Sequence, residues 1–184
     1  EKLYLTVLVD FIKSSHSPSK WGGGPPMYRL CAEARKLGVH VLLGGDCADE
    51  YFAGYNEHED VFSKFDGDLF KLDKCVDIQR ESPFYSEKYC GEYESYQVKT
   101  RRRILDHLSE IPDPFEKFFH ASLLHDTSVF LQSCNLQHSD AYSMMASVEL
   151  RNPMLDFDLV RFVSNLPSYL RYSAHNNANK NKYL

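Results

Sequence analysis

Hydrophobic and polar positions fall into blocks along the chain, and the blocks predict its elements. Residues 2–12, KLYLTVLVDFI, are apolar and β-branched at the front. At that length a strand and a buried helix share one pattern. Residues 13–26 hold serines, three consecutive glycines and three prolines, and read as a loop. Trp21 in this loop packs on the body or covers a ligand. Pro26 suits a first helical turn. A helix is predicted over Met27–Leu37, with Met27, Leu30, Cys31 and Ala34 on one face and Gly38 ending it. Val39, Val41, Leu42 and Leu43 then form a short apolar run, which predicts a strand covered on both faces, as in a parallel sheet. Helix, glycine and strand in that order make half of a parallel α/β unit.

Asp49 and Glu50 stand where a helix over Glu50–Tyr55 starts, and the polar run Asn56–Asp60 reads as a surface loop. Phe62, Phe65, Leu69 and Leu72 recur at helical spacing. A tyrosine-rich polar stretch, ESPFYSEKYCGEYESYQ, follows. Its tyrosines pack half-exposed or stack on a substrate. Arg101–Leu108 is a predicted helix, with the basic cluster Arg101–Arg103 on its surface. After a break at Ile111–Pro114, a long helix is predicted over Phe115–Leu136, with Phe118, Phe119, Leu123, Leu124 and Phe130 as core residues. Asp140–Val148 reads as helix, interrupted at Arg151-Asn152-Pro153. Asp156 is placed to cap a helix over Phe157–Asn165, with Leu159, Val160 and Val163 inward and Leu166-Pro167 closing it. The fold class is α/β: one or two parallel strands, then mostly helix.

The 184 residues are the size of one domain, and 43 % hydrophobic and 14 % aromatic content is enough for a packed core. A net charge of −5 and a pI near 5.9 disfavour sequence-independent nucleic-acid binding. No apolar run reaches the ~18 residues of a membrane span, and no signal-peptide pattern is present. Five cysteines without CxxC spacing fit a reducing compartment, so a cytoplasmic setting is expected. Eight histidines lack zinc-site spacing. The chain begins at Glu1 rather than Met, and part of a longer protein is expected.

The apolar run 39–43 leads into Gly44-Gly45-Asp46-Cys47-Ala48-Asp49-Glu50. The glycines allow a tight turn or a close approach to a ligand. Three carboxylates follow within five residues at the strand's carboxyl end, where open α/β sheets bind ligands. Helix capping and solvated charge account for them equally well. The stretch GGDCADEYFAGY resembles the SGEGADELFGGY signature of the asparagine synthetase (glutamine-hydrolysing) family, in its C-terminal synthetase domain. Asp140–Asp156, DAYSMMASVELRNPMLD, is similar to that family's DRMSMAHSLEVRVPFLD. Asn181-Lys182-Tyr183-Leu184 is similar to the start of its KYLLR segment. The three occur in family order and together cover most of residues 25–184.

The resemblance implies that residues 1–184 are a partial synthetase domain with a PP-loop ATP pyrophosphatase-like (adenine nucleotide alpha hydrolase-like) fold. It implies ATP and magnesium as cofactors. The reaction would form an acyl-adenylate on a carboxylate, aspartate by default, and ammonia derived from glutamine would displace AMP. Asp49 matches the magnesium-binding aspartate; its alternative role is helix capping. Asp46 occupies the position of the catalytic glutamate, orienting or deprotonating the amine, and shares the nucleotide-binding loop with Gly44 and Gly45. As a loop carboxylate it could equally bind backbone amides. Lys182 matches the lysine that steadies the adenylation transition state, with Lys180 as a competitor for the match. Asp140 is expected nearer the substrate. Glu149, Arg151 and Asp156 are expected mainly to hold the motif in place, with Glu149 or Arg151 in buried ion pairs. Partners are small molecules, with no nucleic acid and no membrane, and a homodimer would form through an upstream region.

The chain also departs from the pattern. The family's SGGxDS loop does not occur in it, nor does a glutaminase domain; both are expected upstream. Gly44 replaces a serine, Asp46 a glutamate, Cys47 a glycine and Ala141 an arginine. Two alternatives therefore stand beside asparagine synthesis: an amide-forming cyclase of the same superfamily with another substrate, and a degenerate, non-catalytic interaction or regulatory domain.

Overall fold

The computed structural model describes residues 2–15, 22–70 and 87–172. In chain order these form α1 (Lys2–Ser15), α2 (Gly24–Lys36), β1 (Val41–Leu43), α3 (Ala48–Phe52), α4 (Asn56–Ser63), α5 (Glu87–His107) and α6 (Pro114–Asp126). A π-helical segment, Thr127–Asn135, follows. Then come α7 (Leu136–Met145), β2 (Glu149–Arg151), a 3-10 turn at Pro153–Leu155, α8 (Phe157–Ser164) and α9 (Ser168–Arg171). The chain divides into two compact units, residues 1–47 with 129–157, and residues 48–128 with 158–184.

In the first unit α1, α2 and α7 pack together, and β1 and β2 pair in parallel. The ambiguous run 2–12 is helical. Its Val7 and Phe11 form a core with Tyr142. The Phe11 and Tyr142 rings stack at 4.2 Å. A Cβ at Gly24 would lie 2.0 Å from the Tyr142 ring, so only glycine lets α2 start there. The helix thus begins two residues before Pro26, which lies in its first turn. Gly38, at φ +81, ends the turn after α2 as expected. On α2 Cys31 is fully buried, while Leu30, expected beside it, is 65 % exposed.

The strand at 39–43 narrows to Val41–Leu43 and pairs with a second parallel strand, whose place at Glu149–Arg151 the sequence pattern did not mark. Val41, Leu42 and Leu43 face Glu149, Leu150 and Arg151 in register. Among the described residues β2 is the pairing strand, and Val41 and Leu43 remain exposed rather than covered on both faces. The expected buried ion pairs of Glu149 and Arg151 are corrected too. On a strand, residues two apart share a face, so these two pair with each other at 2.8 Å in solvent.

The second unit is built on α6. Phe118, Phe119 and Leu123 meet Ala53, Phe62 and Tyr172 in an aromatic core, with Phe65, Leu69 and Phe115 at its edge. Asp113 caps α6 by accepting from the Glu116 N–H at 2.8 Å. The expected loop Asn56–Asp60 is helical, because His58 and Phe62 need one face of α4 for burial. Arg101 is buried rather than on the helix surface. Its Nε donates to the Leu69 carbonyl at 2.9 Å, an Nη to Ser122 at 3.2 Å, and its plane lies over Phe118. Burial pulls this guanidinium down to about 10, which leaves it charged at neutral pH. Val163 is buried on α8 as expected, whereas Leu124 and Phe130 are more than a third exposed. The expected unbroken helix over Phe115–Leu136 turns π-helical at Thr127, which rotates later side chains out of a 3.6-residue register. Trp21, Leu72 and the tail from residue 173 lie outside the described residues. No described helix is long and apolar enough to cross a membrane.

Candidate active site

The loop after β1 is fixed by what it leaves and what it meets. Gly44 extends the parallel ladder by donating its N–H to the Arg151 carbonyl at 2.8 Å. Asp46, half-buried, then turns one carboxylate oxygen to two neutral donors. Ser139 on α7 donates its hydroxyl at 2.8 Å, and the Asn152 amide donates at 3.1 Å to the same Oδ2. The Ser139 oxygen also lies 2.9 Å from the Asn135 carbonyl. Its single proton goes to the carboxylate, the stronger acceptor. Asn152 fills the space beside Gly44: a Cβ there would lie 2.2 Å from Asn152 Oδ1. Gly45 has open space on its Cβ side.

Ser139 and Asn152 were not singled out in the sequence. Asn152 carried a signal, a polar side chain where the matched motif has valine. Ser139 carried none, because it falls one residue before that motif.

Cys47 is 1 % exposed and sits at φ +86, a left-handed conformation that suits glycine. Alanine keeps that strain and loses the sulfur, while glycine relieves it. We expect Cys47→Gly to be more stable than Cys47→Ala by about 1 kcal/mol, the reverse of the usual order, in thermal or urea unfolding. Equal stabilities would show that the position is not strained.

In the second unit, Asp49 lies half-buried in α3. Its backbone carbonyl accepts from Gly54 N–H at 3.0 Å. A Cβ at Gly54 would lie 1.9 Å from Asp49 Oδ1, so the carboxylate occupies the place of a missing side chain. Glu50 beside it is buried and accepts from the Tyr55 hydroxyl at 2.6 Å. Burial holds the Glu50 carboxyl above its ordinary value, with the Tyr55 hydrogen bond opposing. The same unit carries a buried polar chain. His58 Nε2 contacts Asp126 Oδ2 at 2.7 Å, His125 Nδ1 lies 3.9 Å from Asp126 Oδ1, and His125 Nε2 contacts Gln97 at 2.6 Å.

No group of three or more His, Cys, Asp or Glu forms a metal cage among the described residues. A single cradled carboxylate such as Asp49 fits magnesium, which takes its other ligands from water and substrate phosphates. Asp140, next to Ser139 in sequence, is exposed on α7. Asp156 is exposed as well. Lys182 lies outside the described residues, as does Lys180.

Comparison with known proteins matches residues 18–184 to the asparagine synthase family model. The chain is 28 % identical over 156 residues to asparagine synthetase [glutamine-hydrolyzing] 3 of Bacillus subtilis (strain 168), covering 82 % of this chain. It spans 24 % of that relative's length. No solved structure matches the chain. With the family model running from residue 18 to Leu184 through both the strand-end loop and the Asp140–Asp156 motif, the chain belongs to the asparagine synthase family, an α/β domain of the PP-loop superfamily.

Proposed function

We propose that the protein containing this chain forms an amide by adenylating a carboxylate with ATP, releasing pyrophosphate, and letting an amine displace AMP. Aspartate is the default carboxylate and ammonia from glutamine the default amine. The observation that carries this reading is the loop at the carboxyl end of a parallel strand, where Ser139 and Asn152 hold one oxygen of Asp46. That end of an open α/β sheet is where ligands bind.

In this reading Asp49 holds magnesium, which neutralises phosphate charge when bound. Asp46 faces the attacking amine with the oxygen that Ser139 and Asn152 leave unengaged, orienting the nitrogen and accepting its proton. Gly45 leaves backbone open to a phosphate. Lys182 supplies the cation of the adenylation step, and Asp140 stands at the substrate side. The setting is cytoplasmic, and a homodimer forms through an upstream region.

The test is Asp49→Ala in the full-length protein. Pyrophosphate release with ATP, magnesium and aspartate should fall at least about a hundredfold, the scale of a misplaced or missing catalytic contact. An unchanged rate would remove Asp49 from the mechanism.

A further inference from the structure

Three positions at which this chain departs from the family's motifs meet at one place in the first unit. Gly44 stands for the motif serine, Asp46 for the glutamate, and Asn152 for the valine of EVRVP. Asn152 Nδ2 donates to Asp46 Oδ2 at 3.1 Å, and Asn152 Oδ1 occupies the space where a Cβ on Gly44 would lie, 2.2 Å away. A serine at 44 and an asparagine at 152 therefore exclude each other as placed here. Leu150 Cδ1 lies on the other side of the gap, 3.2 Å from the same Cβ position, so a serine at 44 would meet a side chain on both sides.

The donors have a clear effect on Asp46. An aspartate is one methylene shorter than the glutamate it replaces, and without an anchor it sweeps several rotamers. Two hydrogen bonds to one oxygen, from a 2 % exposed serine and an amide fixed against Gly44, remove that freedom. Each is a hydrogen bond to a charged group, the stronger kind. The second carboxylate oxygen is left to a ligand.

We propose that Asn152 and Ser139 are positioning residues for Asp46, and that Gly44 is glycine to admit Asn152. The loop is then a coupled replacement of the family arrangement rather than a decayed copy of it. This rests on the reading that Asp46 faces the attacking amine.

The test separates the two claims. In the full-length protein, unfolding is measured for Gly44→Ser, Asn152→Val and the double variant. Gly44→Ser alone should lower the melting temperature, and adding Asn152→Val should restore most of the loss. Additive effects would overturn the coupling, whether or not the protein turns over. Pyrophosphate release and amide formation are then measured on Asn152→Val, Ser139→Ala and Asp46→Glu/Asn152→Val. The single variants should lose at least about tenfold in the amide-forming kcat with the KM for ATP unchanged. The double variant, which restores the longer carboxylate together with the family's valine, should recover over Asn152→Val. A rise in KM for ATP with kcat intact, or no recovery, would overturn the positioning role. A complete lack of turnover in the parent protein would instead defeat the proposed function, while the unfolding cycle would still decide the coupling.

Discussion

Asp126→Ala should cost about 1–3 kcal/mol of stability, the scale of leaving a buried donor without its acceptor, and unfold the second unit before the rest of the protein. Asp126 accepts from His58, which is 4 % exposed at its side chain, and faces His125, which is tied to Gln97. It also offsets the buried charge of Arg101. Alanine would leave His58 Nε2 without its acceptor and remove the negative charge that faces His125 and Arg101. Asp126→Asn keeps an oxygen for His58 and should cost much less. The pH dependence has a definite sign. Burial pushes the Asp126 carboxyl up, but its polar interactions with His125 and His58 outweigh it and leave the group below its ordinary value. Its stabilisation is therefore present above the ordinary aspartate range and is lost as pH falls through the lowered folded value. Glu50 runs the other way. Held above its ordinary value, it stabilises fully below the ordinary glutamate range, and that contribution fades as pH rises. Urea unfolding of the parent and Asp126→Asn across acid pH reads the difference. Parallel pH profiles for the two proteins would contradict this account of the network.

Gly54→Ala should reduce pyrophosphate release about a hundredfold while leaving the fold in place. The new methyl would sit 1.9 Å from Asp49 Oδ1 and 3.1 Å from the Asp49 Cα, so the carboxylate must move by more than an ångström. Displacements of about 1 Å at a reacting centre cost about two powers of ten in rate. On the proposed reading the variant should also need more magnesium. Manganese binding followed by electron paramagnetic resonance, alongside the rate, would show that weakening directly. Unchanged manganese affinity with an unchanged rate would mean that Asp49 is not held by this cradle for a metal.

The two motifs were legible in sequence because each is local. A strand, glycines and carboxylates follow one another from Val39 to Glu50, and the family's spacing carries from Asp140 to Asp156. What joins the first unit was less legible. Ser139 reaches Asp46 across 93 residues and Asn152 across 106, and no local periodicity encodes either contact. The strand β2 was hidden for a similar reason. Three residues ending at Asn152-Pro153 give too short a pattern to show period two, and only pairing with β1 makes them a strand. Once they are a strand, the Glu149–Arg151 pair follows from that period. Arg101 misled for a chemical reason. A triple arginine reads as solvated charge, but a guanidinium whose stem and plane lie on Phe118 can be buried when a carbonyl and a hydroxyl accept its protons. The aromatic core around Phe118 and Phe119 was the easiest part to foresee, since those rings sit on one long helical pattern.

The most direct test of the central claim is a product balance on the full-length protein with ATP, magnesium, glutamine and aspartate. One AMP and one pyrophosphate are expected for each amide formed, with the carboxylate oxygen of aspartate appearing in AMP. ADP and inorganic phosphate in their place would mean an acyl-phosphate route and would contradict adenylation at this strand end.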